Sequence, residues 1–330
     1  MLEPIASTGL VHALVLDGLG GARAITLAEL PGLRLAEPES LWLHWDRSSS
    51  HTHTWLRERS GLNDFSCDLL LEENTRPRLV PLPDSQFLLF LRGINLNPGA
   101  QPEDMVSVRI FAEERRVISL RLRSLRATED LVARLAAGDG PRNAADLVLY
   151  LAERLTERIQ AVVDQLTETL DAEEERVDAE EGYVPEHSSL LHLRRRAAGL
   201  RRFLAPQRDL FALLARHSPG WCAAQDGDYW NELNNSLIRY LEELELSRER
   251  VALLLEAEQR QMSERMNRTM YRFGVVTGIF LPITFITGLL GMNVGGVPAA
   301  DNPHGFLMTC GLTLAVAVAQ WLLYRRLRWL

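Results

Sequence analysis

YRFGVVTGIFLPITFITGLLGMNVGGVP, residues 271–298, carries no charged side chain after Arg272. The uncharged run continues to Ala300, and its first part, Phe273 to Leu290, approaches the ~30 Å of a hydrocarbon core at helical rise. A second uncharged run, Gly305 to Tyr324, follows a short segment. Two spanning helices joined by so short a loop form an antiparallel hairpin, with both ends on the same side. The chain therefore reads as a membrane protein with almost all its mass on one side of the bilayer.

The flanks orient the hairpin. Arg265, Arg268 and Arg272 precede the first span, Arg325, Arg326 and Arg328 follow the second, and the loop 293–304 has neither Arg nor Lys. Basic flanks stay in the cytoplasm, which places both termini inside and the loop outside. The first residues, MLEPIASTGLVHALVL, lack the basic start and long apolar run of a secretory signal. An inner (plasma) membrane location is the expectation. Cys67, Cys222 and Cys310 form no CxxC pair, which argues against a disulfide framework or a thiolate metal site. All 36 basic residues are arginine, and the net charge of −8 without a basic stripe argues against a nucleic-acid partner.

Residues 1–125 read as a mixed, strand-rich α/β cytoplasmic domain. Val11–Leu16, Leu41–Trp45, Phe87–Leu91 and Val106–Phe111 are short runs of β-formers separated by turn residues, and 117–123 ends in apolar–charged alternation. Short helices are expected at Ala24–Leu30 and Ser50–Arg59. From Thr128 the period becomes helical. A helical domain is expected over 126–226: a helix that stops at 137–141, a long one from Asn143 to about Val177, and another from His187 to His217 with Pro206 inside it.

The last cytoplasmic helix carries apolar residues at Leu233, Leu237, Leu244, Val251, Leu255, Met262, Met266, Met270 and Phe273, at helical steps. The seam continues at Thr277, Leu281, Thr284 and Gly288. One helix from near Asp228 to Met292 would be roughly 95 Å long. Such a helix needs partners, and two spans per chain cannot enclose a pore. The expected architecture is α/β plus helical: the domain 1–125, the helices 126–226, a stalk and pore helix 227–292 with its span at 273–292, an outer loop 293–304, a second span 305–324 and a basic tail 325–330. A homo-oligomer with the long helix along its axis is implied.

Gly291-Met292-Asn293, followed by Gly295-Gly296-Val297-Pro298, suits the mouth of such a pore. Glycines let the helix end and the chain turn near an axis. A ring of Asn293 amide oxygens is neutral and strongly dipolar, and accepts hydrogen bonds from the water shell of a divalent cation. The plainer reading is a helix C-cap, which the flanking spans disfavour.

The segment IFLPITFITGLLGMN resembles the CorA superfamily of divalent-cation transporters. That resemblance implies a funnel-shaped pentamer with an α/β cytoplasmic domain, a long pore helix and a Gly-Met-Asn selectivity motif. It is specific in the hairpin and architectural in the first 125 residues. The loop Asn293-Val294-Gly295-Gly296-Val297-Pro298 and the stretch LRRFLAPQRD, Leu200 to Asp209, are similar to the ZntB branch, which implies Zn²⁺ and related ions (Cd²⁺, Ni²⁺, Co²⁺) with proton-linked transport. Val294 and Gly295 stand where magnesium channels of the family usually carry an aromatic and an acidic residue, Leu290 replaces an aromatic, and Met292 does not separate the branches. The resemblance further implies that Met270, Phe273, Thr277, Leu281 and Thr284 line the pore, with Glu256 at its cytoplasmic end. Rings of Thr277 and Thr284 hydroxyls would touch the ion's water shell, and Leu281, Phe273 and Met270 would form a constriction that gates by dewetting. Plain packing of a helix bundle is the alternative, above all for Met262, Met266 and Met270; Gly274, Gly278 and Gly288 fit close helix approach.

Asp301 and His304 are the ionisable residues between the spans, candidates for metal capture or proton sensing. His51-Thr52-His53 lacks a third ligand and reads as a helix start, and the acidic run Asp171–Glu181 reads as a solvated face. No Walker loop, GxGxxG, GxSxG or HExxH occurs. Neither an enzyme nor a nucleotide-driven pump is expected, and no cofactor beyond the transported ion. The driving force would be the metal gradient, proton coupling or the membrane potential, about 2.3 kcal/mol per charge per 100 mV. The remaining expectations are a CorA-type Mg²⁺/Co²⁺ channel and, from another class, a membrane-anchored scaffold or sensor.

Overall fold

The computed structural model describes residues 8–180, 183–217, 219–223, 225–292, 294, 298 and 302–326. The chain divides into two compact units, Met1–Leu254 and Leu255–Leu330.

The first unit is built on a seven-stranded mixed sheet. In chain order the strands are β1 (Leu10–Leu16), β2 (Ala22–Ala24), β3 (Ser40–Asp46), β4 (Arg78–Pro81), β5 (Phe87–Gly93), β6 (Val106–Glu113) and β7 (Arg116–Arg121). Their spatial order is β2-β1-β3-β7-β6-β5-β4, and β3–β7 is the parallel pair. Between β3 and β4 lie α1 (Ser50–Glu58) and α2 (Asp64–Leu71). They cover one face, where Leu41, Leu43, Trp45, Phe90, Phe111 and Ile118 meet Trp55, Leu56 and Leu70. Trp45 stacks on Trp55 with ring centroids 4.4 Å apart. The strands are continuous apolar runs rather than clean alternations because both faces are covered.

The opposite face meets α4 (Ala144–Ala179), preceded by α3 (Arg126–Ala137). Asn143 caps α4, accepting from the Asp146 N–H at 2.8 Å. Gly138 ends α3 at φ +75°, where a residue without Cβ is favoured. Trp42, His44 and Ser119 lie on this second face: Trp42 Nε1 donates to Ser119 Oγ at 2.8 Å, and His44 Nδ1 lies 2.8 Å from the same oxygen. Helix α5 (His187–Arg216) keeps Pro206 within it and packs on β4 and β5.

Helix α6 runs from Asp226 to Leu290, 65 residues, and passes through the boundary between the units. As far as Leu254 it is part of the first core. Leu233, Leu237, Leu244 and Val251 are buried, Trp230 packs on Phe211, and Arg250 holds Glu174 at 2.6 Å and also pairs with Asp171. The acidic face of α4 is thus partly neutralised from α6.

The long helix, the helix from Asn143 and five of the strands stand where the sequence places them. The helix expected at Ala24–Leu30 does not form. The chain instead makes β2 against β1, a turn and a 3-10 turn at Leu30–Gly32 with Pro31 in its first positions. Glu29 accepts from Thr26 N–H and Oγ1 at 2.6 and 2.7 Å, a local alternative to helix. Short β2 and β4 and the eight-residue α2 carry too few periods to be read from pattern alone.

Candidate functional site

In the second unit, α6 from Leu255 to Leu290 and α7 (Gly305–Arg326) both contain windows long and apolar enough to cross a bilayer, and none of their residues is buried. The helices meet along one line. On the apolar span of α6 the partly covered residues are Val275, Gly278, Ile279, Pro282, Ile283, Ile286 and Leu290; on α7 they include Thr309, Thr313, Val316, Gln320 and Tyr324.

The centre of this contact follows from one proline. Pro282 has no N–H, so the Gly278 carbonyl one turn earlier loses its intrahelical donor. Gln320 Nε2 of α7 supplies the missing donor at 3.0 Å. Gly278 makes room for it: a Cβ there would stand 2.3 Å from the Tyr324 hydroxyl oxygen. In hydrocarbon an unsatisfied carbonyl is expensive, so this one bond both closes the ladder and fixes the register of the hairpin. Gly274 and Gly288 have open space around them within one chain. Close approach is therefore seen at one of the three glycines named for it. The signal for Gln320 was present: it is the lone amide in an apolar span, opposite a proline-containing one.

Met270, Phe273, Thr277, Leu281 and Thr284 are all exposed, Phe273 by 70%. At about 100° per residue they lie roughly opposite the line that meets α7. The structure thus brings these residues together on one free face of α6. Thr277 and Thr284 lie on it seven residues apart, two turns, with Leu281 between them. Glu256 lies on α6 four residues before Arg260, whose Nε donates to its carbonyl at 3.4 Å.

At the C-terminal end of α6, Gly291 N–H donates to Thr287 O at 2.9 Å and closes the last turn. A Cβ at 291 would sit 2.9 Å from that same oxygen, so glycine here is required by room; it is not among the positive-φ glycines. Met292 is half exposed. Asn293, Gly295 to Val297 and Asp301 lie outside the described residues. His304 is exposed, its N–H held by Asn302 Oδ1 at 2.9 Å.

In the first unit, His53 Nε2 lies 2.8 Å from the Arg47 carbonyl and Thr52 Oγ1 donates to Asp46 O at 2.6 Å, so His51-Thr52-His53 forms the first turn of α1. Among the described residues no group of three or more His, Cys, Asp or Glu is arranged to hold a metal ion.

A free, mixed polar and apolar helix face preceding Gly-Met-Asn in a two-helix apolar hairpin, in a chain that also carries a mixed-sheet domain and a 65-residue helix, defines a class of membrane protein. A family model described as "CorA-like Mg2+ transporter protein" matches residues 38–326, and the chain belongs to that family. The divalent cation transporter CmaX of Pseudomonas aeruginosa is 56% identical over 98% of this chain and 97% of its own. The zinc transport protein ZntB of Pectobacterium carotovorum is 33% identical over 99% of this chain and 98% of its own, which supports the ZntB-like branch within the family. The full-length CmaX structure matches with a TM-score of 0.87 at 56% identity, covering 98% of both chains.

Proposed function

We propose that this chain is a transporter of divalent metal cations in the bacterial inner membrane, with Zn²⁺ as its principal ion and with both termini in the cytoplasm. The observation that carries the reading is the free α6 face. Among the described residues the side chains of Met270, Phe273, Thr277, Leu281 and Thr284 are exposed, lie opposite the α7 contact and precede Gly291-Met292-Asn293 in sequence. Several copies arranged around that face, five by family resemblance, would enclose a path. The domain boundaries proposed with it are 1–125 and 126–226 in the cytoplasm, 227–292 as stalk and pore helix, and 305–324 as the second span.

Each step needs only hydrogen bonding and desolvation. A hydrated cation is captured outer-sphere at an Asn293 ring, which accepts from its bound waters. Asp301 and His304 raise the local cation concentration at the mouth. Hydroxyls of Thr284 and Thr277 replace part of the second water shell. Between and below them Leu281, Phe273 and Met270 offer no hydrogen bonds, and dewetting there sets the gate. Glu256 stands at the cytoplasmic end as a carboxylate for the emerging ion. No covalent step, nucleotide or cofactor is required.

Zinc is favoured by the ZntB relatives and by the loop from Asn293 to Pro298. A magnesium channel is the second reading, favoured by the description of the matching family model. Uptake into proteoliposomes, with Zn²⁺ and Mg²⁺ compared with and without a pH gradient, separates them. Zn²⁺ flux that responds to the pH gradient and falls at least tenfold (about 1.4 kcal/mol) in Asn293→Ala is expected. Mg²⁺ flux driven by voltage alone would transfer the protein to the second reading, and no flux of either ion would leave the hairpin as an anchor.

A further inference from the structure

A cavity of about 700 Å³ opens in the first unit, walled by β5, β6, the segment after α2 and one side of α5. Its lining is seven arginines against three carboxylates, Glu73, Glu103 and Asp104, in a chain whose net charge is −8. One of those carboxylates is already engaged: Glu103 stands 3.5 Å from Arg196 Nε, outside the lining.

The arginines form two layers. The inner layer is Arg47, Arg92 and Arg109. Arg109 donates to Leu70 O at 2.6 Å and to Glu73 O at 3.3 Å, and Arg47 to Leu71 O and Glu72 O at 3.1 and 3.2 Å. Arg92 donates to Thr75 O and Met105 O at 2.7 and 2.8 Å, with its guanidinium 4.7 Å over the Phe203 ring. The carbonyls of Leu70 to Glu73 end α2, so Arg47 and Arg109 cap one helix terminus, while Arg92 ties the segment after it to Met105 before β6. Carbonyl dipoles orient the guanidiniums without cancelling their charge. Burial, then Arg47 and Arg92, push Arg109 down to about 9, and burial with Arg202 lowers Arg92.

The outer layer is Arg76, Arg123, Arg195 and Arg202, all exposed and supplied by three separate segments. Among the lining residues some buried donors are unused. Arg47 Nε, Arg92 Nε and Thr75 Oγ1 are buried without a hydrogen-bond partner, and Thr75, which lines the cavity, is only 3% exposed. Buried donors left unpaired are costly, and an acceptor-only ligand would satisfy them.

We infer that this cavity binds a small diphosphate-bearing anion, held at the mouth by the outer guanidiniums and at the floor by Thr75 and the free Nε donors of Arg47 and Arg92. Guanidinium forks match phosphate oxygens in pairs, and the volume lies within the ordinary range for small-molecule sites. The excess of positive charge exceeds what a chloride or a monophosphate would balance. The anion bridges Arg195 and Arg202 on α5 to Arg76 and Arg123 on the sheet side, so its binding stiffens the first unit. This site stands apart from the proposed ion path and does not depend on it. A phospholipid headgroup presents the same phosphate chemistry, and the experiment separates the two sources.

Pyrophosphate is titrated into the purified full-length chain in detergent, followed by calorimetry and by thermal unfolding, with sulfate and glycerol 3-phosphate as comparators. Saturable binding at one site per chain, a rise in Tm and at least a tenfold weakening in R123Q/R202Q are expected. Both side chains are exposed, so the unliganded Tm of the double variant should match the parent, which separates loss of the site from loss of the fold. R76Q, on a different segment, should show a weaker loss of the same kind. Equal pyrophosphate affinity in parent and variants overturns the site; glycerol 3-phosphate binding more tightly than pyrophosphate overturns the diphosphate assignment in favour of a headgroup.

Discussion

Trp42 and Trp45 of β3 are completely buried, whereas Phe273, Phe280 and Phe285 of α6 are 62–70% exposed. The two sets are equally apolar, and they belong to the two units of one chain. Up to Leu254 the sheet and helices close a core by themselves, including the first half of α6. Beyond it the same helix keeps its apolar seam and loses its partners. Burial of an aromatic side chain is worth roughly 1.5–3 kcal/mol in water, so a surface of this kind persists only where something other than water covers it. One face of the α6 span meets α7, and the seam lies opposite. The difference teaches that the second unit is completed from outside the chain, by lipid and, on our proposal, by further copies.

The most drastic way to break the comparison is to cut it. A fragment ending at Leu254 should be soluble without detergent and unfold cooperatively, as circular dichroism with size-exclusion chromatography would report. Aggregation of that fragment would mean that the first core is not self-sufficient.

A smaller effect is expected at Gln320→Leu, which removes the donor to the Gly278 carbonyl and should destabilise the hairpin by about 1–2 kcal/mol in a detergent unfolding assay. Pro282→Ala restores the intrahelical N–H. In that background Gln320→Leu should be nearly neutral, and an undiminished penalty there would show that Gln320 acts through something other than this carbonyl.

A graded effect, spread over pH, sharpens the first unit. Burial, then Arg121 and His12, holds the His44 imidazolium well below its usual pKa, and burial with Arg121 also lowers His12. The unfolded chain then binds more protons than the folded one below about pH 6.5, so stability falls as the pH drops through that value, by at most about 1.4 kcal/mol per pH unit per histidine. Unfolding of the first unit measured between pH 7.5 and 5 should show that slope, and His44→Gln should flatten it.

Much of this was legible in the sequence. The hairpin, the length of α6, the helix from Asn143 and the five longer strands each rest on a strong local signal: charge-free length, helical period or a run of β-formers. The seam was legible as one face of a helix but not as partnered below Leu254 and free above it, because periodicity does not say what covers a face. The bond from Gln320 to Gly278 required two spans to be set in register. The arginine cavity was invisible for the same reason: Arg47, Arg76, Arg92, Arg109, Arg123 and Arg202 are scattered along nearly half the chain and meet only in the fold. The sequence-level resemblance to a divalent-cation transporter family agrees with the family found by comparison, and the choice of ion rests on relatives and a loop.

The central claim is that the α6 face opposite α7 lines the ion path. It is tested most directly by single cysteines in a background with Cys67, Cys222 and Cys310 replaced by Ser. Zn²⁺ flux into proteoliposomes is followed before and after a small cationic methanethiosulfonate reagent. Thr277→Cys and Thr284→Cys should lose most of their flux on modification, while Ile279→Cys and Ile286→Cys, on the side that meets α7, should keep theirs. Block at the isoleucine positions with none at the threonines would contradict the account.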